Sequence, residues 1–328
     1  MFHFTYDYCD HTDYLHLLAQ ALGVPVKDNV LWLPPQIGTG YIKVEELANG
    51  LQVLFNECTI HQEFLIQRNK SDGNGYTLRF DEVRNLKNLS VKIGDIMLEN
   101  NTAIYSGAFL SNSFSELEYI VNAEIENRSI NIYFTNEWLD QYSGLKSTGT
   151  FLKEALKAPG SAIHFEVLTL EYRELMEEVF ELKPAHPVYQ AFLQNRVMLL
   201  LEKFLRGLYM KLVDPSYGYG IGEEELKRMV QIEAILVKDL GVAPPPVSEL
   251  ARIAMMSETK LKYTFKRIYQ YGLYEYYQKN RMLKARQLLV QKRNAVKEVG
   301  MQLGFKNLSN FTIAFKKEFN ILPSQLST

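Results

Sequence analysis

The last hundred residues of the chain contain one pattern written twice, at residues 247–267 and again at 296–317. The copies lie 49 residues apart in their first halves and 50 apart in their second halves, so one turn is longer by one residue. Each copy has the pattern of a short helix, a tight turn and a second helix whose polar face ends in two cations. Two such units on one polypeptide fit two successive major grooves of DNA.

The region that contains the repeat is basic, and the rest of the chain is acidic. Residues 221–328 hold 18 Lys and Arg against 10 Asp and Glu, a net charge of +8, whereas the other 220 residues hold 18 against 28, a net charge of −10. A basic region joined to an acidic one is the distribution expected when a phosphate-binding domain is attached to a domain that does not bind phosphate. A chance fluctuation in surface charge is the alternative.

The N-terminal half, to about residue 150, alternates apolar and polar residues in the manner of β-strands. Leu51, Val53 and Phe55 share one face of such a run. Many short strands separated by Gly, Asn and Asp predict an antiparallel sandwich or a small barrel. The segment 70–75 has two glycines and predicts a hairpin turn. The tyrosine-rich stretch 4–8 is either an arm over a ligand or a frayed terminus.

The segment 151–213 changes to a helical period. Apolar residues recur at steps of three and four, after Pro187 in a position that suits the first turn of a helix. One stripe of this helix is our candidate dimer interface, and packing within the chain is the alternative. The stripe comprises Leu193, Val197, Leu200, Phe204 and Leu208.

The second helix of each repeat carries the candidate DNA contacts. Ser257 is a predicted N-cap, and Gly304 can take the left-handed conformation of the turn. Asn can read an adenine edge, and Ser, Thr and Lys can contact bases or phosphates. The outward residues are Thr259, Lys260, Lys262, Tyr263, Lys266 and Arg267 in the first copy, and Asn307, Ser309, Asn310, Thr312, Lys316 and Lys317 in the second.

A predicted helix at 273–289 connects the two units. It contains good helix formers and neither Pro nor Gly. Its length is about 27 Å. With the two helix-turn-helix bodies added, such a rod can hold two reading helices about 34 Å apart, which is one turn of DNA.

Over about 223–328 the chain resembles the AraC/XylS family of bacterial transcription regulators. The resemblance rests on Arg281, Met282, Ala285, Leu288, Leu289, Val296, Val299, Gly300, Gly304, Phe305, Ser309, Phe311, Phe315, Lys316, Lys317, Pro323 and Ser324. It implies sequence-specific binding to double-stranded promoter DNA, contact with RNA polymerase, an unidentified small-molecule effector and a homodimer. It also implies base readers at Thr259, Lys262, Tyr263, Leu308, Ser309, Asn310 and Thr312, and Lys306 completes our set of DNA-binding candidates. Segments 257–262 and 274–279 are similar, more weakly, to the siderophore-regulator branch.

The expected fold class is therefore α+β in two domains, with an N-terminal antiparallel β-sandwich or cupin-like barrel plus helices, and a C-terminal all-α double helix-turn-helix domain. We expect a β-rich effector-sensing domain, a helical dimerisation segment, a linker and an AraC-type DNA-binding domain, at residues 1–150, 151–213, 214–222 and 223–328.

The chain departs from the family pattern at four positions. The family often has Ala at the position of Gly300, Arg at that of Ile313, Gly at that of Asn320 and an aromatic residue at that of Leu326. Ile313 removes a guanidinium from the second reading helix. This favours a second unit that mainly grips the DNA backbone.

Other classes of chemistry lack their motifs. None of the six histidines has an H-x-H or H-x-x-x-H spacing, so we expect no metal site, no cofactor and no enzymatic activity. Cys9 and Cys58 suggest a reducing compartment, and no apolar run approaches the roughly 20 residues that span a bilayer, so we expect a cytoplasmic protein without membrane contact. The alternatives are a cupin-type enzyme with an accessory DNA-binding domain, and an architectural protein that binds DNA without specificity.

Overall fold

The computed structural model describes residues 1–84, 90–93, 96–99, 106–121, 123–143, 163–213, 222–290 and 295–326. The chain forms two compact units. The first unit comprises Met1–Leu168 and Gln190–Gly218, and the second comprises Thr169–Tyr189 and Tyr219–Thr328. The predicted linker at 214–222 lies outside the described residues except for its last residue.

The first unit contains two β-sheets. In chain order the described strands are β1 (Phe2–Asp7), β2 (Val26–Lys27), β3 (Val30–Trp32), β4 (Gly38–Glu46), β5 (Gln52–Ile60), β6 (Phe64–Asn69), β7 (Gly75–Arg84), β8 (Ser90–Ile93), β9 (Ile96–Glu99), β10 (Gly107–Asn112), β11 (Leu117–Val121), β12 (Ile125–Thr135) and β13 (Ile163–Val167). One sheet has the order β1-β6-β11-β8-β9, and the other has the order β13-β10-β7-β12-β5-β4-β3-β2. The β1–β6 pair is parallel and the other described pairs are antiparallel.

The described helices follow the same chain order. They are α1 (His11–Leu22), α2 (Asn136–Ser143), α3 (Leu170–Glu181), α4 (Tyr189–Val213), α5 (Glu223–Val237), α6 (Val247–Ile253), α7 (Glu258–Tyr269), α8 (Leu273–Val290), α9 (Val296–Gln302) and α10 (Leu308–Phe319). The predicted α+β fold class, with largely antiparallel sheets followed by a helical C-terminal region, is confirmed. None of the described helices has both the length and the apolar character that a membrane crossing requires.

The two sheets enclose a cavity of about 190 Å³. Alternation along β7 shows how the sequence builds its wall. Four residues of β7 line the cavity: Thr77, Arg79, Asp81 and Val83. The apolar residues that alternate with them, Tyr76, Leu78 and Phe80, are buried on the opposite face of the strand. The polar face of this strand therefore points inward, and its apolar face packs against the rest of the unit.

The predicted hairpin at 70–75 is wrong. Strand β6 ends at Asn69 and β7 begins at Gly75, but the two strands belong to different sheets. The loop is fixed instead by residue Ser113, whose carbonyl accepts from the Ser71 N–H at 2.8 Å. A glycine-rich segment predicts that the chain turns, but it does not determine whether the two flanking strands pair with each other.

The N-terminal tyrosine-rich stretch is an ordered strand rather than a frayed end. Strand β1 pairs in parallel with β6, with Phe4 opposite Ile66 and Tyr6 opposite Arg68. Tyr6 and the following Tyr8 line the cavity.

The side chain of Asp10 then caps α1 by accepting from the Asp13 N–H at 2.9 Å.

The apolar stripe of α4 is core, which corrects its assignment as a dimer interface. Each of its five members is at most 2% exposed within a single protomer: Leu193, Val197, Leu200, Phe204 and Leu208. Side chains that are buried inside one protomer cannot also form the contact surface between two. The packing within the chain that we kept as the alternative therefore describes this stripe.

The second unit is organised around α8, which packs against α3, α5, α7, α9 and α10. Residues Tyr276 and Tyr277 of this helix are buried, as are Ala285 and Leu289. Helix α3 belongs to this unit and nearly all of α4 belongs to the first, so the predicted segment 151–213 is divided between the two units.

We expect Phe204→Ala to lower the free energy of unfolding of the first unit by about 3–5 kcal/mol, because it leaves a cavity in the core. Glu202→Ala, at an exposed position of the same helix, should change it by less than about 0.5 kcal/mol. Both tryptophans, Trp32 and Trp138, lie in the first unit, so their fluorescence during urea unfolding reports this unit. Equal effects of the two substitutions would contradict the buried position of Phe204.

Candidate nucleic-acid interface

The first helix-turn-helix consists of α6, a four-residue turn and α7. Residue Met255 adopts a φ of 52° in the turn, and the N–H of Met256 donates back to the Ala251 carbonyl at 3.0 Å. The predicted N-cap is present, since the Ser257 side chain accepts from the Lys260 N–H at 3.2 Å. The turn and the cap together fix the direction in which α7 leaves α6.

The second helix-turn-helix consists of α9, a turn and α10. Its turn and its N-cap are formed by residues of other types than those of the first unit. Gly304 has a φ of 73°, as expected, and a Cβ there would lie 2.1 Å from the carbonyl oxygen of Gly241. Only glycine fits this close approach. Asn307 is the N-cap of α10, since its side chain accepts from the Asn310 N–H at 2.8 Å.

The repeat extends to the last residue of each reading helix. Gln270 ends α7 and Asn320 ends α10, both in the left-handed conformation, and their N–H groups donate to the carbonyls of Lys266 and Lys316 at 2.9 Å. Because Asn tolerates this conformation better than most residues, Asn320 can stand where the family often has Gly.

The apolar positions of the repeat form the cores of the two units. Leu261 and Phe265 in α7, and Phe311 and Phe315 in α10, are fully buried. A Cβ at Gly300 would lie 3.2 Å from the Phe311 ring. The departure from Ala at this position therefore allows α9 to pack closely on α10.

The structure places nearly all of the fourteen DNA-binding candidates on the surface. Thirteen are exposed: Thr259, Lys260, Lys262, Tyr263, Lys266, Arg267, Lys306, Asn307, Leu308, Ser309, Asn310, Lys316 and Lys317. Thr312 is half-buried. Each reading helix thus presents one continuous outer face, with its core residues on the opposite side.

Two of the candidate lysines have carboxylate neighbours. Lys260 Nζ lies 3.2 Å from an oxygen of Glu225, and Lys262 Nζ lies 3.6 Å from an oxygen of Glu258. Exposed ion pairs of this kind contribute about 0–1 kcal/mol, so they do not prevent either lysine from binding phosphate. The cations at the ends of the two helices, at 266–267 and 316–317, form no ion pair within the described part of the chain.

Ile313 is a surface residue that the sequence analysis left out of the site. Its side chain is 67% exposed, and Tyr263, at the equivalent position of α7, is 66% exposed. The 50-residue offset between the copies is the signal that identifies it. An exposed apolar group on a reading helix suits contact with a thymine methyl group.

Helix α8 contacts both reading helices directly. The Tyr276 ring meets the Phe265 ring of α7 edge to face, with centroids 5.4 Å apart. On the other side, Lys279 Nζ lies 2.5 Å from Glu318 of α10. Arg281 donates through Nε to the carbonyl of Leu303 at 2.6 Å, in the turn of the second unit.

The Arg281 guanidinium also stacks on the ring of Phe305, 3.8 Å from its centroid. This pairing connects the middle of α8 to the second turn through a cation–π contact and a hydrogen bond. The position of α10 therefore depends on α8 through two separate attachments, one at its turn and one at Glu318.

The described part of the chain shows no group of side chains that would indicate a metal site instead. Among those residues, no three His, Cys, Asp or Glu side chains are grouped so that they could bind a metal ion. His61 lies close to Glu57 and Glu63 in the sequence. In the structure its Nδ1 lies 3.4 Å from a carboxylate oxygen of a different residue, Glu124.

Comparison with known proteins agrees with this geometry. Residues 250–328 match the family model of a helix-turn-helix domain. No curated protein matches the chain.

Among solved structures, the chain is similar to the DNA-binding domain of AdpA in complex with a target DNA, at 21% identity and a TM-score of 0.28, over 30% of this chain and 89% of that one. It is similar to an AraC-type regulator from Chromobacterium violaceum, at 26% identity and a TM-score of 0.27, over 31% and 88%. A ToxT variant from Vibrio cholerae aligns over 86% of this chain and 98% of that one, at 13% identity and a TM-score of 0.32. The family match and the duplicated geometry together show that residues 250–328 belong to a helix-turn-helix domain.

Proposed function

We propose that the protein is a transcription regulator that binds specific promoter DNA through both helix-turn-helix units, and that a small molecule held by the first unit changes this binding. The observation that carries the proposal is the pair of exposed reading helices, α7 and α10, attached to the single buried helix α8. A helix-turn-helix reads DNA by laying its second helix in the major groove, and two such helices on one rod suit adjacent grooves.

The exposed side chains divide by chemistry into two roles. Polar, aromatic and aliphatic groups near the helix starts and centres are our candidate base readers: Thr259, Lys260, Lys262 and Tyr263 in α7, and Leu308, Ser309, Asn310, Thr312 and now Ile313 in α10. The remaining cations and the N-cap are candidate phosphate contacts: Lys266, Arg267, Lys306, Asn307, Lys316 and Lys317. Phosphate contacts position the protein, whereas base contacts select the sequence.

The cavity between the two sheets supports the small-molecule part of the proposal. It lies in the unit that the sequence assigns to effector sensing, and aromatic and polar side chains line it together. A ligand that binds one conformation better than another shifts the balance between them, and DNA affinity changes by the same coupling.

The family resemblance adds partners to the proposal. We include contact with RNA polymerase, action in the cytoplasm and a homodimer. Because the α4 stripe is buried, a homodimer interface must use other residues. A role as a regulator rather than an enzyme follows from the same proposal.

Sequence specificity is the property to test first. Duplexes selected by the full-length protein from a random pool should bind at least about 10³-fold more tightly than unselected duplex at physiological salt. Fluorescence anisotropy with unselected competitor measures this ratio. Equal competition by unselected DNA would instead support the architectural alternative.

Substitutions on the two reading helices should separate the two roles. Tyr263→Ala or Asn310→Ala should reduce the affinity ratio between selected and unselected duplex by about tenfold, because each removes a base contact. Lys316→Ala should weaken both duplexes alike and reduce the salt slope by about one, because it removes a phosphate contact. Lys27→Ala removes an exposed charge from the first unit and serves as the control. Tyr263 is not a reader if its substitution weakens both duplexes equally.

A further inference from the structure

We propose that the cavity of the first unit binds a small aromatic carboxylate, a one-ring monoanion with hydrogen-bond donors on its ring, and that Arg68 binds its carboxylate. The inference deepens the proposed function and rests on its claim that the first unit holds a small molecule. It comes from the charges and the unpaired polar atoms of the cavity wall.

Arg68 is a buried cation that has no counter-ion among the described residues. Its side chain is 5% exposed and lines the cavity from β6. The guanidinium donates to Ser111 Oγ at 3.2 Å and to the carbonyls of Asn112 and Ser115 at 3.1 and 2.9 Å, which leaves its Nε without a partner. No carboxylate of the described residues forms an ion pair with it. Because an unneutralised buried charge is costly, this wall favours a ligand that brings a negative charge.

The other charges of the wall cancel. Arg79, from the opposite sheet, pairs with Asp81 at 3.0 Å. Burial would by itself lower the pKa of Arg79, but the adjacent Asp81 raises it above its ordinary value, so the Arg79 guanidinium stays charged beside that carboxylate. The described wall therefore has a net charge of +1, which matches a monoanion better than a dianion or a cation.

The remaining titratable groups do not alter this balance near neutral pH. Burial lowers the pKa of His11 to about 3, so its imidazole is neutral. Burial likewise raises the pKa of the Cys9 and Cys58 thiols to about 12, so both are uncharged. Three of the tyrosines that line the cavity are also held in their neutral form, since burial raises the pKa of Tyr6, Tyr8 and Tyr14.

Unpaired acceptors indicate what the rest of the ligand carries. His11 Nε2, Asn127 Oδ1 and Asp81 Oδ1 are buried and have no hydrogen-bond partner among the described residues. A neutral imidazole has one donor and one acceptor nitrogen, and the interaction of the His11 ring with the backbone of Asn131 leaves Nε2 unpaired. Such acceptors are costly to leave unpaired, so hydroxyl or amino groups on the ligand ring would satisfy them.

Aromatic side chains and the size of the cavity favour a single ring. Arg68 stacks on the Tyr8 ring at 4.8 Å and Arg79 on the Tyr119 ring at 4.7 Å, so both guanidiniums are fixed by aromatic neighbours. Tyr6 and Tyr14 form another wall, with ring centroids 4.9 Å apart. An engineered cavity of about 150 Å³ in another protein holds one benzene molecule, and this cavity measures about 190 Å³.

The test compares matched acids and amides on the full-length chain by isothermal titration calorimetry. The probes are benzoate, the three hydroxybenzoates, and the amide of each acid, which has the same shape without the charge. At least one hydroxybenzoate should bind about tenfold or more tightly than its amide, because a buried charged hydrogen bond distinguishes the two.

Arg68→Gln should abolish the preference for the acid, whereas Arg128→Gln, a change in the same unit outside the cavity wall, should retain it. Should Arg68→Gln fail to fold, the acid and amide affinities of the unchanged protein decide the question. The inference is overturned when no acid binds, when each amide binds as well as its acid, or when Arg68→Gln keeps the preference.

Measuring affinity for a selected duplex with and without the bound acid separates this inference from the proposed function. An acid that binds through Arg68 and leaves DNA affinity unchanged supports the ligand class and contradicts the regulatory role of the cavity. A neutral molecule that changes DNA affinity, in a protein to which none of the acids binds, supports regulation and contradicts the ligand class.

Discussion

The burial of helix α8 on several sides determines where the two helix-turn-helix units lie. One of its residues, Tyr276, is fully buried and donates to Glu233 at 2.9 Å, and Arg173 of α3 pairs with the same carboxylate at 2.8 Å. A buried carboxylate in this setting must keep its partners, because losing one leaves an uncompensated charge. Helix α3 is therefore attached to α8, and helices α7 and α10 are attached to other faces of the same helix.

The two copies of the repeat keep the same geometry with different residues. Ser257 caps α7 and Asn307 caps α10, while Gln270 and Asn320 end these helices in the same left-handed conformation. Because the two copies share this backbone geometry, the exposed faces of α7 and α10 can carry different side chains. Position 263 carries tyrosine, whereas the equivalent position in α10 carries Ile313, so the two copies have unlike chemistry on their exposed faces.

How far the sequence predicts this molecule depends on whether an element is determined locally. The Ser257 cap and the Gly304 turn could be predicted, because a single residue determines each of them through its own side chain or backbone conformation. The partner of β7 and the packing of α4 could not, because helical or alternating periodicity defines an apolar face without showing what covers it. The same limit hid Arg68, since a charged residue on an alternating strand normally faces solvent and here faces a cavity between two sheets.

The central claim is that α8 holds two reading helices at the spacing of adjacent major grooves, and a hydroxyl-radical footprint of the full-length protein on a selected duplex tests it most directly. We expect each bound protomer to protect two segments on one face of the DNA, with centres about 10–10.5 base pairs apart. A single protected segment for each protomer, or two segments on opposite faces, would show that α8 does not set this spacing.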